Sequence, residues 1–272
     1  MGGETASVPD LSVGRLFDVA GRTAVVTGGS RGIGAMIAAG LVANGVDVWI
    51  TARRPEACDR TAAELDARGP GRCRSVPADL SDPEGVTSFA ARIAEEAPDL
   101  DILVNNAGAT WGAPLDEFPR DGFDKVLSVN LVAPFFLTQA LLGPLREGAT
   151  ADDPARVVMI GSIDGIRVPV MDSFPYSASK AGIHMLTRHL ARALADDHVT
   201  VNAIAPGPFE SKMMAFVLND PDTRAAVERS VPRGRIGSPE DVAGTTLFLC
   251  SRAGAYLTGA VVPVDGGIST TS

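Results

Sequence analysis

Short apolar runs and longer mixed runs alternate along the chain. Thr23-Ala24-Val25-Val26-Thr27 is a compact β-type run, and Ala155-Arg156-Val157-Val158-Met159-Ile160 is almost continuously apolar. Runs of this kind, without polar alternation, suit strands covered on both faces. Strands are predicted at about 23–27, 46–51, 72–77, 101–105, 156–161, 199–204 and 260–264. Helical periodicity fills the intervals at about 32–44, 55–68, 83–97, 121–142, 175–195 and 239–251. This alternation predicts a single α/β domain, a doubly wound parallel seven-stranded sheet with helices on both faces. Residues 1–12 are expected to form a flexible N-terminal arm, and 13–272 the domain. The long departure from the pattern runs from Pro206 to about Arg235 and carries Met213, Met214, Phe216, Val217 and Leu218. It predicts a substrate lid at about 207–231, hinged at Pro206-Gly207.

Composition narrows the class. With 272 residues, 45% hydrophobic and 21% charged, the chain can bury a large core. A net charge of −9 argues against a nucleic-acid surface. Cys58, Cys73 and Cys250 are scattered and form no C-x-x-C pair, so they read as reduced thiols of a cytoplasmic protein. His184, His189 and His198 do not line up as ligands, and no metal site is expected. The most apolar stretch, Leu131 to Leu145, is broken by Pro134, Thr138, Gln139, Gly143 and Pro144, so no membrane span is expected. No charged and apolar leader precedes Arg15.

The chemistry lies where strands end. The first strand leads into Gly28-Gly29-Ser30-Arg31-Gly32-Ile33-Gly34 and then an Ala-rich helix. Strand, glycine turn and helix place a pyrophosphate at a helix N-terminus. Ligands of such sheets lie beyond the carboxyl ends of the strands. Asp79, Asn105 to Gly108, Ser162 and Pro206-Gly207 all fall at such ends. Tyr176 and Lys180 are four residues apart on a predicted helix and share a face. An ammonium beside a phenol is expected to lower its pKa toward the range useful for proton transfer.

Together these residues resemble the short-chain dehydrogenase/reductase family over about residues 14 to 267. The resemblance rests on 27–34, Asn105 to Gly108, Asn130, Ser162, Tyr176 with Lys180, Pro206-Gly207 and Val264-Asp265-Gly266-Gly267. Within the family, Asn105 to Pro114 and Ala205 to Met213 look most like the 3-oxoacyl reductases associated with rhamnolipid synthesis. Ser162 to Tyr176 spans 14 positions, a little more than the family pattern, which bears on the substrate entrance. The resemblance implies a Rossmann-type fold with Tyr176 as general acid. It also implies that Lys180 lowers the tyrosine pKa, Ser162 bonds the substrate oxygen, and Asn130 anchors a water. It points to a homotetramer with the helices at about 121–142 and 175–195 paired across one interface, where Leu131, Phe135, Leu137, Leu141 and Leu142 exceed one buried stripe.

The implied cofactor contacts are Gly28, Ser30, Arg31, Gly32, Ile33, Gly34, Arg53, Asp79, Leu80, Asn106, Ala107, Gly108, Tyr176, Lys180, Pro206 and Gly207. Strand two ends at Trp49-Ile50-Thr51-Ala52 and is followed by Arg53 and Arg54. With no acid there, and with Asp47 at the other end, a 2′-phosphate and hence NADP (NADPH) is favoured over NAD. Trp111, Ile163, Phe174, Phe209 and Met213 are the substrate candidates and are largely apolar. A 3-oxoacyl thioester or similar ketone fits them better than a free sugar. Acyl carrier protein, being acidic, would need a basic patch that this acidic chain does not evidently carry, so coenzyme-A thioesters and other ketones stay open. A polyol or sugar-acid dehydrogenase and a non-catalytic nucleotide sensor are the alternatives. The intact Ser162, Tyr176 and Lys180 count against the sensor.

Overall fold

The computed structural model describes residues 10–211 and 214–271. Of the expected arm, residues 1–9 lie outside the described residues. Asp10, Leu11 and Ser12 are exposed, and Val13–Leu16 forms the single-turn helix α1. Seven parallel strands follow: β1 Thr23–Thr27, β2 Asp47–Thr51, β3 Cys73–Ser75, β4 Ile102–Asn105, β5 Ala155–Ile160, β6 Val199–Pro206 and β7 Val261–Val264. Their spatial order is β3-β2-β1-β4-β5-β6-β7. The chain reverses direction across the sheet between β1 and β4, and a crevice opens there at the carboxyl ends.

Side chains alternate along each strand between two buried layers. Val25, Leu103, Val157, Met159, Val201 and Ala203 face one layer. It is closed by α4 (Pro83–Glu96), α6 (Ala133–Ala140), α7 (Leu142–Glu147) and α8 (Phe174–Ala193). Ala24, Val26, Val48, Ile50, Ile102, Val104, Val158, Ile160 and Ile204 face the other. That layer is closed by α2 (Gly32–Ala43), α3 (Pro55–Asp66) and α11 (Pro239–Cys250). Burial on both faces is why the strands read as continuous apolar runs. Helix starts follow local chemistry: α3, α4 and α11 each begin on a proline, which has no N–H to leave unpaired. Ser238 and Asp241 form a capping box on α11, and Arg235 grips Asp241 with two bonds of 2.6 and 2.9 Å.

The single helix expected over 121–142 is divided. Arg120–Leu127 is α5, Ser128–Val132 is a π turn, and then come α6 and α7. The cause is Pro134: it has no N–H to give the carbonyl four residues earlier, that of Asn130.

The segment after β6 also differs from expectation. Phe209 is 2% exposed, packs in the second core layer, and bridges to Gly237, against whose α-carbon its ring lies. It is an anchor of this segment and not a wall of an open pocket. Losing a buried phenylalanine costs roughly 3–5 kcal/mol. Gly207 is no free hinge, because its N–H donates to the Val264 carbonyl at 3.0 Å and a Cβ there would lie 2.8 Å from Asp265. Val231 is buried at the other end. The clamps leave α9 (Ala215–Leu218) and α10 (Pro221–Ser230) between them, and α10 has no buried residue.

Candidate active site

The glycine turn between β1 and α2 is a cradle that side chains would fill. Gly28 and Gly32 have φ of 65° and 54°, in the left-handed region. A Cβ on Gly34 would lie 2.4 Å from the Gly28 carbonyl. Arg31 is the exposed N-cap of α2, and the N–H groups of Gly32, Ile33 and Gly34 open the helix toward the crevice. The turn is tied across the switch point by Thr27, whose hydroxyl accepts the N–H groups of Asn106 and Ala107, both at 2.9 Å. The Asn106 amide donates back to the Thr27 carbonyl at 2.8 Å. The geometry fits a dinucleotide: a backbone cradle on a helix N-terminus, walled by Asn106 to Gly108.

The rim beside it is equally specific. Asp47 starts β2 and pairs with Arg74, at the opposite end of the strand from the crevice. Arg53, exposed just after β2, is attracted to Asp79. Asp79 accepts the N–H and hydroxyl of Ser81 at 2.9 and 2.6 Å. The Leu80 side chain is buried in the core, so only its main chain can meet a ligand.

At the end of β5, Ser162 is buried and caps a short 3₁₀ turn, Ile163–Gly165. It faces Tyr176, which sits half-buried in the first turn of α8. The Lys180 Nζ, one turn on, lies 5.5 Å from the centre of the Tyr176 ring and donates to the Ile160 carbonyl at 2.7 Å. Asn130 sits buried in the π turn. Its amide accepts from Ala109 at 2.8 Å and donates to the Ser179 hydroxyl at 3.0 Å, and Ser179 donates to the Tyr176 carbonyl at 2.7 Å. This chain of bonds locks the first turn of α8 to the π turn. The side chain of Asn130 is thus committed to joining these elements.

Burial pushes the Tyr176 phenol up to about 12, the Ser162 hydroxyl pulls it down, and Asp164 pushes it up further. Burial also pulls Lys180 down to about 8, against Asp164, which raises it. The Lys180 ammonium beside the ring is itself engaged by the Ile160 carbonyl.

Two substrate candidates meet on one rim. Trp111 is part-exposed with Lys125 5.8 Å from its ring centre, and Phe174 packs edge-on against Phe118 at 5.8 Å. Their loops are joined by Ala113 N–H donating to the Asp172 carbonyl at 3.3 Å. Ile163 is buried with Val231 and Ile268, so it backs the site. Met213 lies outside the described residues. Sequence reasoning missed Thr27, Ser179 and Asp164. A hydroxyl at a strand end, or one three residues after Tyr176, was the available signal.

A parallel sheet with a nucleotide cradle at its switch point and a Ser-Tyr-Lys group beside it is the framework of a nucleotide-dependent oxidoreductase. The family model for enoyl-(acyl carrier protein) reductase matches residues 28–269. The chain is 48% identical over 251 residues to the rhamnolipids biosynthesis 3-oxoacyl-[acyl-carrier-protein] reductase of Pseudomonas aeruginosa, covering 92% of this chain and 97% of that one. It is 33% identical over 256 residues to gluconate 5-dehydrogenase of Gluconobacter oxydans, covering 94% and 98%. The solved Pseudomonas aeruginosa RhlG/NADP active-site complex superposes with a TM-score of 0.90 at 47% identity, over 93% of this chain and 98% of that one. The chain belongs to the short-chain dehydrogenase/reductase family of oxidoreductases. Among the described residues no helix is long and apolar enough to cross a membrane.

Proposed function

We propose that the chain is an NADPH-dependent carbonyl reductase that reduces a 3-oxoacyl thioester or a similar apolar ketone. The observation that carries this is the placement of Ser162 at the end of β5 with Tyr176 and Lys180 on the first turns of α8, at the same sheet edge as the Gly28–Gly34 cradle. NADPH, when bound, supplies a hydride. Gly32 to Gly34 would hold its pyrophosphate, Arg53 and Arg31 a 2′-phosphate, and Lys180 its nicotinamide ribose. The Tyr176 hydroxyl gives its proton to the substrate carbonyl oxygen, and Ser162 hydrogen-bonds that oxygen as charge develops there. The raised phenol suits this direction, because it stays protonated at neutral pH. Lys180 and a water anchored at Asn130 would return the proton from solvent.

The apolar rim of Trp111, Phe118 and Phe174 supports a ketone with an apolar chain. The gluconate 5-dehydrogenase relative supports sugar acids as the second reading. A panel of carbonyl substrates with NADPH and NADH separates them. The proposal expects the highest kcat/KM for 3-oxoacyl thioesters or apolar ketones with NADPH. Turnover confined to sugar acids would overturn it.

We also propose a cytoplasmic homo-oligomer, most simply a tetramer. Its cysteines are buried and unpaired, as a reducing compartment requires. Leu131, Val132, Phe135, Phe136, Met185 and Leu186 line an open groove of about 460 Å³ along the π turn, α6 and α8. Phe136 and Met185 are about half-exposed, which is unusual for a surface left in water. The segment between Phe209 and Val231 is proposed to close over bound substrate.

A further inference from the structure

Asp164 has no part in the proton transfer described so far, yet it sits inside it. It occupies the middle of the Ile163–Gly165 turn, and its N–H donates to the Ser162 hydroxyl at 3.1 Å. That bond occupies an acceptor site of the Ser162 oxygen and leaves the hydroxyl hydrogen to point elsewhere. Ser162 favours the phenolate of Tyr176, as a hydroxyl turned toward it would.

The turn is pressed onto α8. A Cβ on Gly165 would lie 2.6 Å from the Lys180 main chain, so the turn and the helix meet backbone to backbone. The Asp164 carboxylate, half-buried, is thereby within electrostatic reach of both Tyr176 and Lys180. The other charges around it are accounted for. Arg167, on the same loop, is attracted to Asp164 and also to Asp265 beyond β7. His184, on α8, is held neutral by burial and by Lys180. A single carboxylate therefore faces the acid of the reaction and its lysine together.

We propose that Asp164 is a positioning residue of the proton-transfer site: its N–H aims the Ser162 hydroxyl, and its carboxylate, on the turn packed against Lys180, is the charge that faces Tyr176 and Lys180 together. An anion stabilises a phenol over a phenolate and an ammonium over an amine. Both effects move the pH at which the site gives up its proton upward, in carbonyl reduction and in alcohol oxidation alike. The inference rests on the reading of Tyr176 as proton donor, and extends it to what sets the pH range over which the site holds its proton.

The test uses pH profiles of wild type, Asp164→Asn, Asp164→Ser and Asp164→Glu. With the charge removed, the pH at which alcohol oxidation reaches half its maximal kcat/KM should fall by about one unit. The alkaline loss of carbonyl reduction should move the same way, and Asp164→Glu should restore both. A second readout needs no turnover. The chain has two tyrosines, and Tyr256 is fully exposed. In a Tyr256→Phe background the ultraviolet tyrosinate signal therefore reports Tyr176 alone. Its onset, followed while circular dichroism stays native, should come at lower pH in Asp164→Asn than in the parent. Coincident profiles in folded Asp164→Asn and Asp164→Ser would overturn the proposal. If instead Tyr176→Phe kept full turnover while Asp164→Asn still shifted the tyrosinate onset, the proton-donor reading would fail and the charge effect of Asp164 would stand.

Discussion

Lys180 reaches back from the second turn of α8 and places its ammonium 2.7 Å from the carbonyl of Ile160, the last residue of β5. That bond joins the helix carrying Tyr176 to the strand that leads into Ser162. The site is therefore held by the sheet and one helix, and the reacting hydroxyls are fixed before any ligand arrives. Preorganisation of this kind is how a protein concentrates electrostatic help on a transition state.

The 2′-phosphate reading makes a direct prediction. Arg53→Ala is expected to weaken NADPH binding while leaving NADH nearly unchanged. A charge-assisted contact contributes roughly 1.5–3 kcal/mol, about one to two decades in Kd. Fluorescence titration of both cofactors measures it. An unchanged preference would show that Arg53 is only a solvated loop charge.

The apolar groove on α6 and α8 predicts assembly. Phe136→Asp places a charge on a half-exposed aromatic of that face. It is expected to convert the oligomer into smaller species at micromolar concentration, as read by light scattering. A wild-type chain that scatters as a monomer would contradict the oligomer itself.

His184 makes the fold sensitive to acid. Burial, with Lys180 beside it, pulls its imidazole from 6.5 down to about 4. The unfolded chain takes up this proton near pH 6.5 and the folded chain only near 4. Its contribution is thus complete above pH 6.5 and is lost as pH falls toward 4, a loss on the order of 3 kcal/mol. Urea unfolding at neutral pH and near pH 4.5 should show wild type losing about 2–3 kcal/mol more than His184→Asn. Equal losses would mean the imidazole is solvated.

The segment after β6 predicts a mobility difference. Hydrogen exchange should be fast in α10, slow at Phe209 and Val231, and slowed in α10 by NADP with a substrate analogue. Strong protection of α10 in both states would rule out a closing element.

What the sequence made legible follows from periodicity and spacing. All seven strands were placed within two residues or so at each end, because burial on both faces writes itself as apolar runs. Ser162, Tyr176, Lys180 and the glycine cradle were legible because their spacing fixes their relative position on a strand end and a helix face. The π turn at Asn130 was not, although Pro134 was in view: a helical apolar stripe continues across it. Phe209 was misassigned because an apolar residue in an irregular segment has no periodicity to tell core from lid. The upward push of burial on Tyr176 was not legible, because burial exists only in three dimensions.

The central claim is that Tyr176 is the proton donor of carbonyl reduction, and Tyr176→Phe tests it most directly. The substitution removes one hydroxyl and little binding surface. With the best substrate and NADPH, kcat should fall by about 10²–10⁴-fold, while the NADPH Kd stays within about a factor of three of wild type. A folded Tyr176→Phe enzyme that turns over at the wild-type rate would contradict the account.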